Sequence, residues 1–402
     1  MTTTTPSSRI DQLDAVRGIA ILGILLMNIF AFALPQAAYL NPYYTNTTSD
    51  SEAYLWGVFN VLFQGKVLAI FSILFGATLA LLHSRSLRWN QCRLSVLALF
   101  GVIHGVGFWD GDILLAYALT GLLVTYLLNQ YDDSLLLKIA LSIYLVGLVI
   151  LLVLGSSIDP SGFWQTTDEQ LAFEYVMHTS GGMDGVLYRA SEMLKMVEML
   201  VIQYGWQLAA LMIIGALLMK NGWLQGQFSA QHYRQIAYIF ILPSILVQIV
   251  SLYMQSQFNW SYFSTSIIGY IINELVIPFQ SLGYIALVYG FWEKIANNKV
   301  IHGLQYVGRM ALSNYILQTL ICTTLFYQLG YFGQFTRVEL IVLVPIIWGI
   351  NVLFSYYWLM FFRQGPLEWC WRKLTAKLIG RWVFIYLYIY FNLLTSSGET
   401  AG

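Results

Sequence analysis

Ten apolar stretches, each near the roughly 20 residues that an α-helix needs to cross a hydrocarbon core, recur along this chain of 402 residues. They lie at about residues 17–34, 56–82, 94–109, 113–128, 136–154, 200–219, 235–254, 267–292, 310–329 and 338–361. Charged residues make up 10% of the sequence, against about 25% in soluble domains. The sequence therefore predicts an all-α, polytopic membrane protein with about ten transmembrane helices in a single domain, residues 1–375.

The positions of Lys and Arg predict how the spans are oriented, because basic residues concentrate in cytoplasmic loops. If the N-terminus is cytoplasmic, only Arg189, Lys195 and Arg337 fall on the outer side, and Lys66 lies near or within the second span. The cytoplasmic side then collects Arg9, Arg17, Arg85, Arg88, Arg93, Lys138, Lys220, Arg234, Lys294, Lys299, Arg309, Arg363, Arg372, Lys373, Lys377 and Arg381. An even number of spans puts both termini in the cytoplasm, so we expect a multi-pass protein with that orientation.

We make predictions for two of the segments that lie outside the predicted spans. Residues 155–199 form the one sizeable outer loop, and from about Gly185 to Leu200 the pattern is that of an amphipathic helix. We predict an interfacial cap there, with a plain linker as the alternative. Residues 376–402 form a predicted cytoplasmic tail, whose aromatic segment 383–391 is too short to span and is either an interfacial helix or a strand.

The first span carries polar residues that a bare membrane anchor does not need. Arg17 and Asn28 are eleven positions apart, about three helical turns, so they share one face and lie roughly 16 Å apart along the axis. Polar groups at membrane depth are costly and usually mark a site or a pathway. We therefore predict that both residues bind substrate.

Lys66 follows Gln64 and Gly65 in the second apolar stretch, and its depth has two interpretations. A continuous helix puts it near the midplane, whereas a span of residues 66–82 puts it at the outer surface. In both cases it is available to bind an anionic group, with Gln64 beside it. Interfacial snorkelling is the alternative without a function.

The third span ends in a cluster of groups that can transfer protons. His104 lies one to two turns below Asp110 and Asp112, with Trp109 between them. A neutral His can accept a proton, and a nearby carboxylate can fix its tautomer and stabilise its charged form. We therefore predict His104 as a general base assisted by Asp112. The alternative is a His bonded between helices, with both acids solvated in the loop.

The ninth span begins with Arg309 at the cytoplasmic mouth, followed by Asn314 and Gln318 on one helical face. The two amides are predicted to bind substrate, and interhelical hydrogen bonding is the alternative. Glu274 in span eight is the one carboxylate clearly within a span, and it needs a partner that the sequence does not identify.

Composition excludes two kinds of partner. The three cysteines, Cys92, Cys322 and Cys370, have no metal-ligand spacing, so no metal site is predicted. With 20 basic and 20 acidic residues and no basic domain, the chain is not expected to bind nucleic acid. The sequence predicts that the protein is surrounded by the lipid bilayer. It does not predict the oligomeric state.

Six short motifs follow one another from residue 9 to about residue 375. They are Arg9-x-x-x-Leu13-Asp14-x-x-Arg17-Gly18, Phe75-Gly76, Phe100-Gly101-x-x-His104, Trp109-x-Gly111-Asp112-Ile113-Leu114, Gly308-Arg309-Met-Ala-Leu-Ser-Asn314-Tyr315 and Gly365-Pro366-Leu367-Glu368. As an ordered set they resemble the bacterial YeiB-like membrane family. That family is similar in turn to two groups of transmembrane acyltransferases, the heparan-glucosaminide N-acetyltransferase type and the acyltransferase-3 type. The resemblance implies a bacterial inner-membrane protein and, through these groups, transfer of an acyl group from cytoplasmic acyl-CoA to a sugar hydroxyl or amine on the far side.

The catalytic histidines of these groups do not carry over. Acyltransferase-3 proteins have Arg-x10-His in the first span, but here the same spacing from Arg17 ends on Asn28, and an amide cannot act as a base. The heparan-type enzymes also have Asn there, yet their catalytic His lies in the first outer loop, and residues 35–55 contain none. His104 is therefore predicted as the base on chemical grounds.

Two functions remain. In an acyltransferase, the phosphates of acyl-CoA bind near Arg17 and Arg309, Asn28 and Gln64 orient the thioester, and His104 deprotonates an envelope glycan or lipid. No cofactor is bound permanently. In a transporter or flippase, intramembrane His, Lys and Glu form a relay. Three further residues are predicted to be structural: Asp14, Trp109 and Asp110.

Overall fold

The computed structural model describes residues 10–83 and 85–380, and every regular element in these ranges is helical. The aromatic segment 383–391 lies outside the described residues, as does most of the predicted tail. The first half of the chain forms helices α1 (Asp11–Ala33), α2 (Ala37–Leu40), α3 (Asp50–Leu62), α4 (Lys66–Leu81), α5 (Leu87–Gly107), α6 (Leu114–Gln130), α7 (Asp133–Ser156), α8 (Asp168–Thr179) and α9 (Gly182–Met199).

The second half contains α10 (Gly205–Lys220), α11 (Ala230–Gln257), α12 (Tyr270–Gly290), α13 (Trp292–Ile295), α14 (Lys299–Arg309), α15 (Ala311–Thr323), α16 (Arg337–Phe361) and α17 at residues 366–380. π-Helical turns at Leu200–Tyr204 and Phe263–Gly269 lead into α10 and α12, and a third at Thr324–Gln328 extends α15. The predicted all-α class is confirmed.

The predicted count of ten spans is not confirmed. All ten stretches are helical, but seven helical segments in the described ranges are long and apolar enough to cross a membrane: Asp11–Ala33, Asp50–Leu81, Asp133–Ser156, Ile202–Lys220, Ala230–Gln257, Phe263–Gly290 and Arg337–Phe361. The other three fall short for local reasons. α6 has 17 residues, α15 has 13, and α5 carries Arg88, Asn90 and Arg93 in its first two turns.

α1 and α14 cross with their backbones in contact, and glycines make this possible. A Cβ on Gly18 would collide with the carbonyl oxygen of Leu304, and a Cβ on Gly308 would collide with that of Asp14. The same arrangement recurs where α4 crosses α10, through one glycine on each helix. In a membrane, where apolar surface gives helices no reason to prefer each other over lipid, such close packing contributes much of their association.

α8 and α9 cover one end of the bundle, which we call the cap end. Glu174 of α8 accepts a hydrogen bond from the backbone of Gln36 (3.0 Å), and Arg189 of α9 donates to the carbonyl of Val106 (2.8 Å). Burial raises the pKa of Glu174. α9 coincides with the predicted amphipathic helix, and these contacts with the loops beneath it favour a cap over a linker.

Glu368 in α17 caps the N-terminus of α15. Its Oε1 accepts the backbone N–H groups of Leu312 (2.8 Å) and Ser313 (3.1 Å), and its Oε2 accepts the Ser313 hydroxyl (2.5 Å). A Cβ on Gly365 would collide with the same carboxylate. The first N–H groups of a helix have no partner within the helix, and Glu368 supplies one to α15. Its side chain therefore joins the motif that begins at Gly365 to the motif that begins at Gly308.

Glu368→Gln is expected to remove a pH dependence of stability. Burial raises the pKa of Glu368, and the hydrogen bonds that it accepts oppose the shift. A carboxyl group with a raised pKa in the folded state binds its proton more readily than in the unfolded state, so its contribution to stability falls as pH rises through the folded pKa. Thermal unfolding in detergent, measured from acidic to neutral pH, should show the wild type losing stability relative to the variant. A difference that grows in favour of the wild type as pH rises would contradict this.

Candidate functional site

A cavity of about 310 Å³ lies toward the cap end, between α1, the turn joining α3 to α4, the loop after α5, and the segments leading into α10 and α12. Its polar lining consists of amides, carboxyls and phenols: Asn28, Gln64, Gln203, Gln207, Asn273, Asp110, Asp112, Glu274, Tyr39, Tyr204 and Tyr270. Among the described residues, this lining contains no Lys, Arg or His. The cavity is therefore rich in hydrogen-bond acceptors and carries no positive charge on its wall.

Asp112 connects the cavity to His104. Its Oδ1 lies 2.7 Å from His104 Nδ1, its Oδ2 accepts the backbone N–H of Leu115 (2.8 Å), and His104 Nε2 lies 2.9 Å from the hydroxyl of Thr319. His104 is buried in protein and does not face lipid. All three groups are satisfied if Nδ1–H donates to Asp112 and Nε2 accepts from Thr319. Asp112 is among the residues that border the cavity, whereas His104 is not, and the Asp112 carboxylate is itself fully buried with both oxygens bonded.

The loop that holds Asp112 is fixed by aromatic packing. Trp109 stacks on Phe32 with ring centroids 3.8 Å apart, and a Cβ on Gly111 would collide with the Trp109 ring. Among the described residues, Asp110 Oδ1 is buried with no hydrogen-bond partner. Burial raises the pKa of Asp110, and the nearby His178 opposes that shift. This packing is consistent with a structural role for Trp109, whereas Asp110 lines the cavity.

Lys66 corrects two predictions. α4 begins at this residue, after Gly65 with φ of 79°, but the side chain is fully buried. Its Nζ donates to the carbonyl of Asn60 (2.6 Å) and to the side-chain oxygens of Gln248 and Asn273. The prediction of a free cation for an anionic ligand and the alternative of interfacial snorkelling are both wrong, because the side chain is buried and three acceptors take its three N–H groups. Its depth in the membrane stays a prediction.

Gln64 and Glu274 both line the cavity and have partners there. Gln64 accepts a hydrogen bond from the side chain of Asn60. Glu274, whose partner the sequence did not identify, accepts from the amide of Gln207 (2.6 Å) and from the Tyr144 hydroxyl (3.4 Å). Asn28 lies on the same wall. The structure therefore brings together Asn28, Gln64 and Asp112, three of the predicted site residues.

Asn314 and Gln318 do not line this cavity. Asn314 donates to Ser355 Oγ (2.7 Å), and Gln318 donates to the carbonyl of Ile21 (3.2 Å) and to Asn351 Oδ1 (3.1 Å). Both side chains are buried between helices. These contacts favour the alternative interpretation, hydrogen bonds that hold α1, α15 and α16 together, over substrate binding.

Arg17 and Arg309 lie at the end of the bundle opposite the cap. Arg17 Nη1 bonds Asp14 Oδ1 at 3.1 Å, as expected if Asp14 is structural. The positive charges of Arg17 and Arg372 also act on the buried Arg93, whose Nη1 has no hydrogen-bond partner among the described residues. This arginine cluster was missed from the sequence, because Arg93 and Arg372 lie in different helices far apart in the chain.

Other residues at the cavity also escaped the sequence analysis. Asn273 precedes Glu274 in a predicted span, and that neighbouring pair of polar residues was a usable signal. Gln203 and Gln207 lie one turn apart and carried the same signal. Among the described residues, no group of three or more His, Cys, Asp or Glu side chains is placed to hold a metal ion.

Comparison with known proteins identifies the family. The chain is 45% identical over 371 residues to "Uncharacterized protein YeiB" of Escherichia coli (strain K12), covering 92% of this chain and 96% of that protein. The chain belongs to the YeiB family. Residues 218–377 also match the family model described as "Protein of unknown function (DUF418)". "Uncharacterized protein YxaH" of Bacillus subtilis (strain 168) is 26% identical, over 92% of this chain and 95% of its own length.

The similarity to YeiB covers 92% of the chain. A second Bacillus relative, "Uncharacterized 39.9 kDa protein in amylase 3'region" of Bacillus acidopullulyticus, is 26% identical over 91% of this chain and 94% of that protein. No solved structure matches the chain. Membership in the YeiB family thus establishes kinship and leaves the chemistry to be argued from the site.

Proposed function

We propose that this YeiB-family protein is a membrane acyltransferase. It would transfer an acyl group from a cytoplasmic acyl-CoA-type donor to a glycan or lipid acceptor of the bacterial envelope, with both termini in the cytoplasm and the cap outside. The observation that carries the proposal is the pair of His104 and Asp112, 2.7 Å apart, with Asp112 among the residues that border the cavity. A carboxylate held by a buried His is suited to accept a proton from a bound hydroxyl or amine.

The roles that we assign differ from those expected from the sequence. Asp112 accepts the proton of the acceptor group, and His104 holds the carboxylate in place and stabilises it. The acceptor oxygen or nitrogen attacks the thioester carbonyl, the new C–O or C–N bond forms, and the C–S bond breaks. The proton passes from Asp112 to the departing thiolate. Asn28 and Gln64, whose amides can donate to an oxyanion, orient the thioester.

The donor's phosphates fit the arginine cluster at the cytoplasmic end. The charges of Arg17 and Arg372 act on Arg93, and guanidinium groups bind phosphate in a bidentate manner. The thioester then has to reach the cavity, a span of about 16 Å along α1 between Arg17 and Asn28. An extended acyl carrier arm would lie along this face.

Purified protein in nanodiscs should bind acyl-CoA and turn over its thioester when given an envelope extract. Asp112→Asn is expected to lower turnover by about 10²–10⁴-fold, the usual contribution of a general base. The matched control is Asp133→Asn, which changes an exposed carboxyl group paired with Lys220. Arg17→Ala should weaken acyl-CoA binding and leave the cavity unchanged.

The outcomes separate the functions. Absence of acyl-CoA binding by the wild type would overturn the acyltransferase, and full turnover by Asp112→Asn would overturn the role of Asp112. Proton or solute movement into proteoliposomes without thioester turnover would favour the transporter, in which the buried His, Lys and Glu form a relay.

A further inference from the structure

A second cavity, of about 950 Å³, adjoins the polar one. It lies between α1, α4, α12, α14 and α16, and its lining is almost wholly apolar. The side chains of Phe63 and Val67 border both cavities. Its volume is at the upper end of the range, about 300–1,000 Å³, that small-molecule sites occupy.

α1 presents a different face to each cavity. Ile24, Met27 and Asn28 line the polar cavity, whereas Leu22, Gly23 and Leu26 line the apolar one. Successive residues of a helix differ by about 100° around the axis, so these two sets lie on neighbouring faces. The cavities are therefore side by side, divided by α1 and by the turn that joins α3 to α4.

The apolar cavity opens toward the surroundings of the helix bundle. Val300 and Leu353, which border it, are 67% and 55% exposed, and a Cβ on Gly349 would meet no atom within 4 Å. α1, α12 and α16 are long and apolar enough to cross a membrane, so an opening between them meets lipid tails, and the occupant that can enter is a hydrocarbon chain. Lys299, at the start of α14, is the one charged residue on its border.

The chemistry of the polar cavity selects the head group. Asp110, Asp112 and Glu274 are among the residues that line it, and none of the described residues on its wall is a cation. The nearest ammonium group, on Lys66, already donates to three acceptors. A phosphate would meet like charge there, whereas hydroxyl or amine groups would find acceptors on every side.

We propose that the two cavities together bind one membrane lipid, whose acyl tail lies in the apolar cavity and whose uncharged, polyhydroxylated head lies in the polar cavity. The role of this lipid as the acceptor of acyl transfer rests on the proposed function. The binding of the lipid does not depend on that function. In the reaction a head-group hydroxyl forms a C–O bond with the thioester carbonyl, the C–S bond breaks, and the hydroxyl proton passes through Asp112 to the thiolate.

The test is lipid retention measured by native mass spectrometry. The full chain would be reconstituted in phosphatidylcholine nanodiscs that contain either monoglucosyl-dioleoylglycerol or dioleoyl phosphatidic acid, then released into detergent. The glucosyl lipid is expected to stay bound and the phosphatidic acid to be lost. Gly349→Leu places a side chain in the apolar cavity without a clash and should lower retention by at least about tenfold, as extra methylene groups in an apolar pocket do.

Gly107→Leu is the matched control, because a Cβ there also meets no atom within 4 Å and the residue borders neither cavity. It should retain the lipid. Equal retention by Gly349→Leu would overturn the tail position. If the wild type retains phosphatidic acid and the Lys299→Gln variant does not, the proposed head position is overturned. The head group would then lie beside Lys299, at the border of the apolar cavity, instead of in the polar cavity. Retention of the glucosyl lipid without thioester turnover would leave this site standing while the proposed function failed.

Discussion

Replacing Arg337 by Met is expected to destabilise the protein by about 3–5 kcal/mol, the range seen when one partner of a buried charged network is removed. Arg337 is fully buried at the start of α16. Its Nη1 donates to the carbonyl of Pro42 (2.8 Å), and its Nη2 donates to those of Ala38 (2.7 Å) and Asn41 (2.8 Å). Without the guanidinium group, these three carbonyl oxygens lose their donors.

Arg337→Lys separates charge from geometry. A Lys ammonium group keeps the positive charge but lacks the rigid fork that reaches three carbonyls and lies over the Tyr44 ring. Thermal unfolding in detergent should place Arg337→Lys between the wild type and Arg337→Met. Arg363→Met, at an exposed position, serves as the control. A melting temperature unchanged by Arg337→Met would show that the segment of residues 38–42, whose carbonyls it bonds, does not depend on this side chain.

Lys66→Met is expected to have the second largest effect, on both stability and the polar cavity. Three buried acceptors would lose a donor, at about 1–3 kcal/mol for each one left unsatisfied. One of them, Asn273, lines the cavity, so its amide would lose its fixed orientation. We expect a lower melting temperature together with weaker retention of the glucosyl lipid.

Lys195→Met is the control for that substitution, since Lys195 is exposed and pairs with Glu192 within one helix turn. Pairs of this kind contribute little to stability. Should Lys66→Met melt like the wild type but lose the lipid, Lys66 would act on the cavity alone. Normal melting and normal retention together would contradict the role assigned to it.

The helical class and the apolar stretches could be predicted because length and composition are local properties of a sequence. The burial of Lys66 could not. Its position depends on Gln248 and Asn273, which lie 182 and 207 residues farther along the chain. A side chain that is costly in lipid becomes acceptable when distant helices supply three acceptors, and no local pattern reports where those helices pack.

The candidate site likewise has contacts that the sequence could suggest and contacts that it could not. His104 and Asp112 are eight residues apart, so the sequence could suggest their contact. Thr319, which lies 215 residues from His104 and bonds its other nitrogen, could not be foreseen. Nor could the place of Asp112 at the cavity, because the other walls come from distant segments that lead into α10 and α12.

The crossing of α1 with α14 can form only late in the synthesis of the chain. Gly18 and Gly308 come together only after residue 308 has been synthesised, 290 positions after residue 18. At about 5–20 residues per second, the first helix waits on the order of tens of seconds for its partner. During biogenesis, α1 therefore resides in the bilayer with a face open to other helices, and the last third of the chain completes the fold.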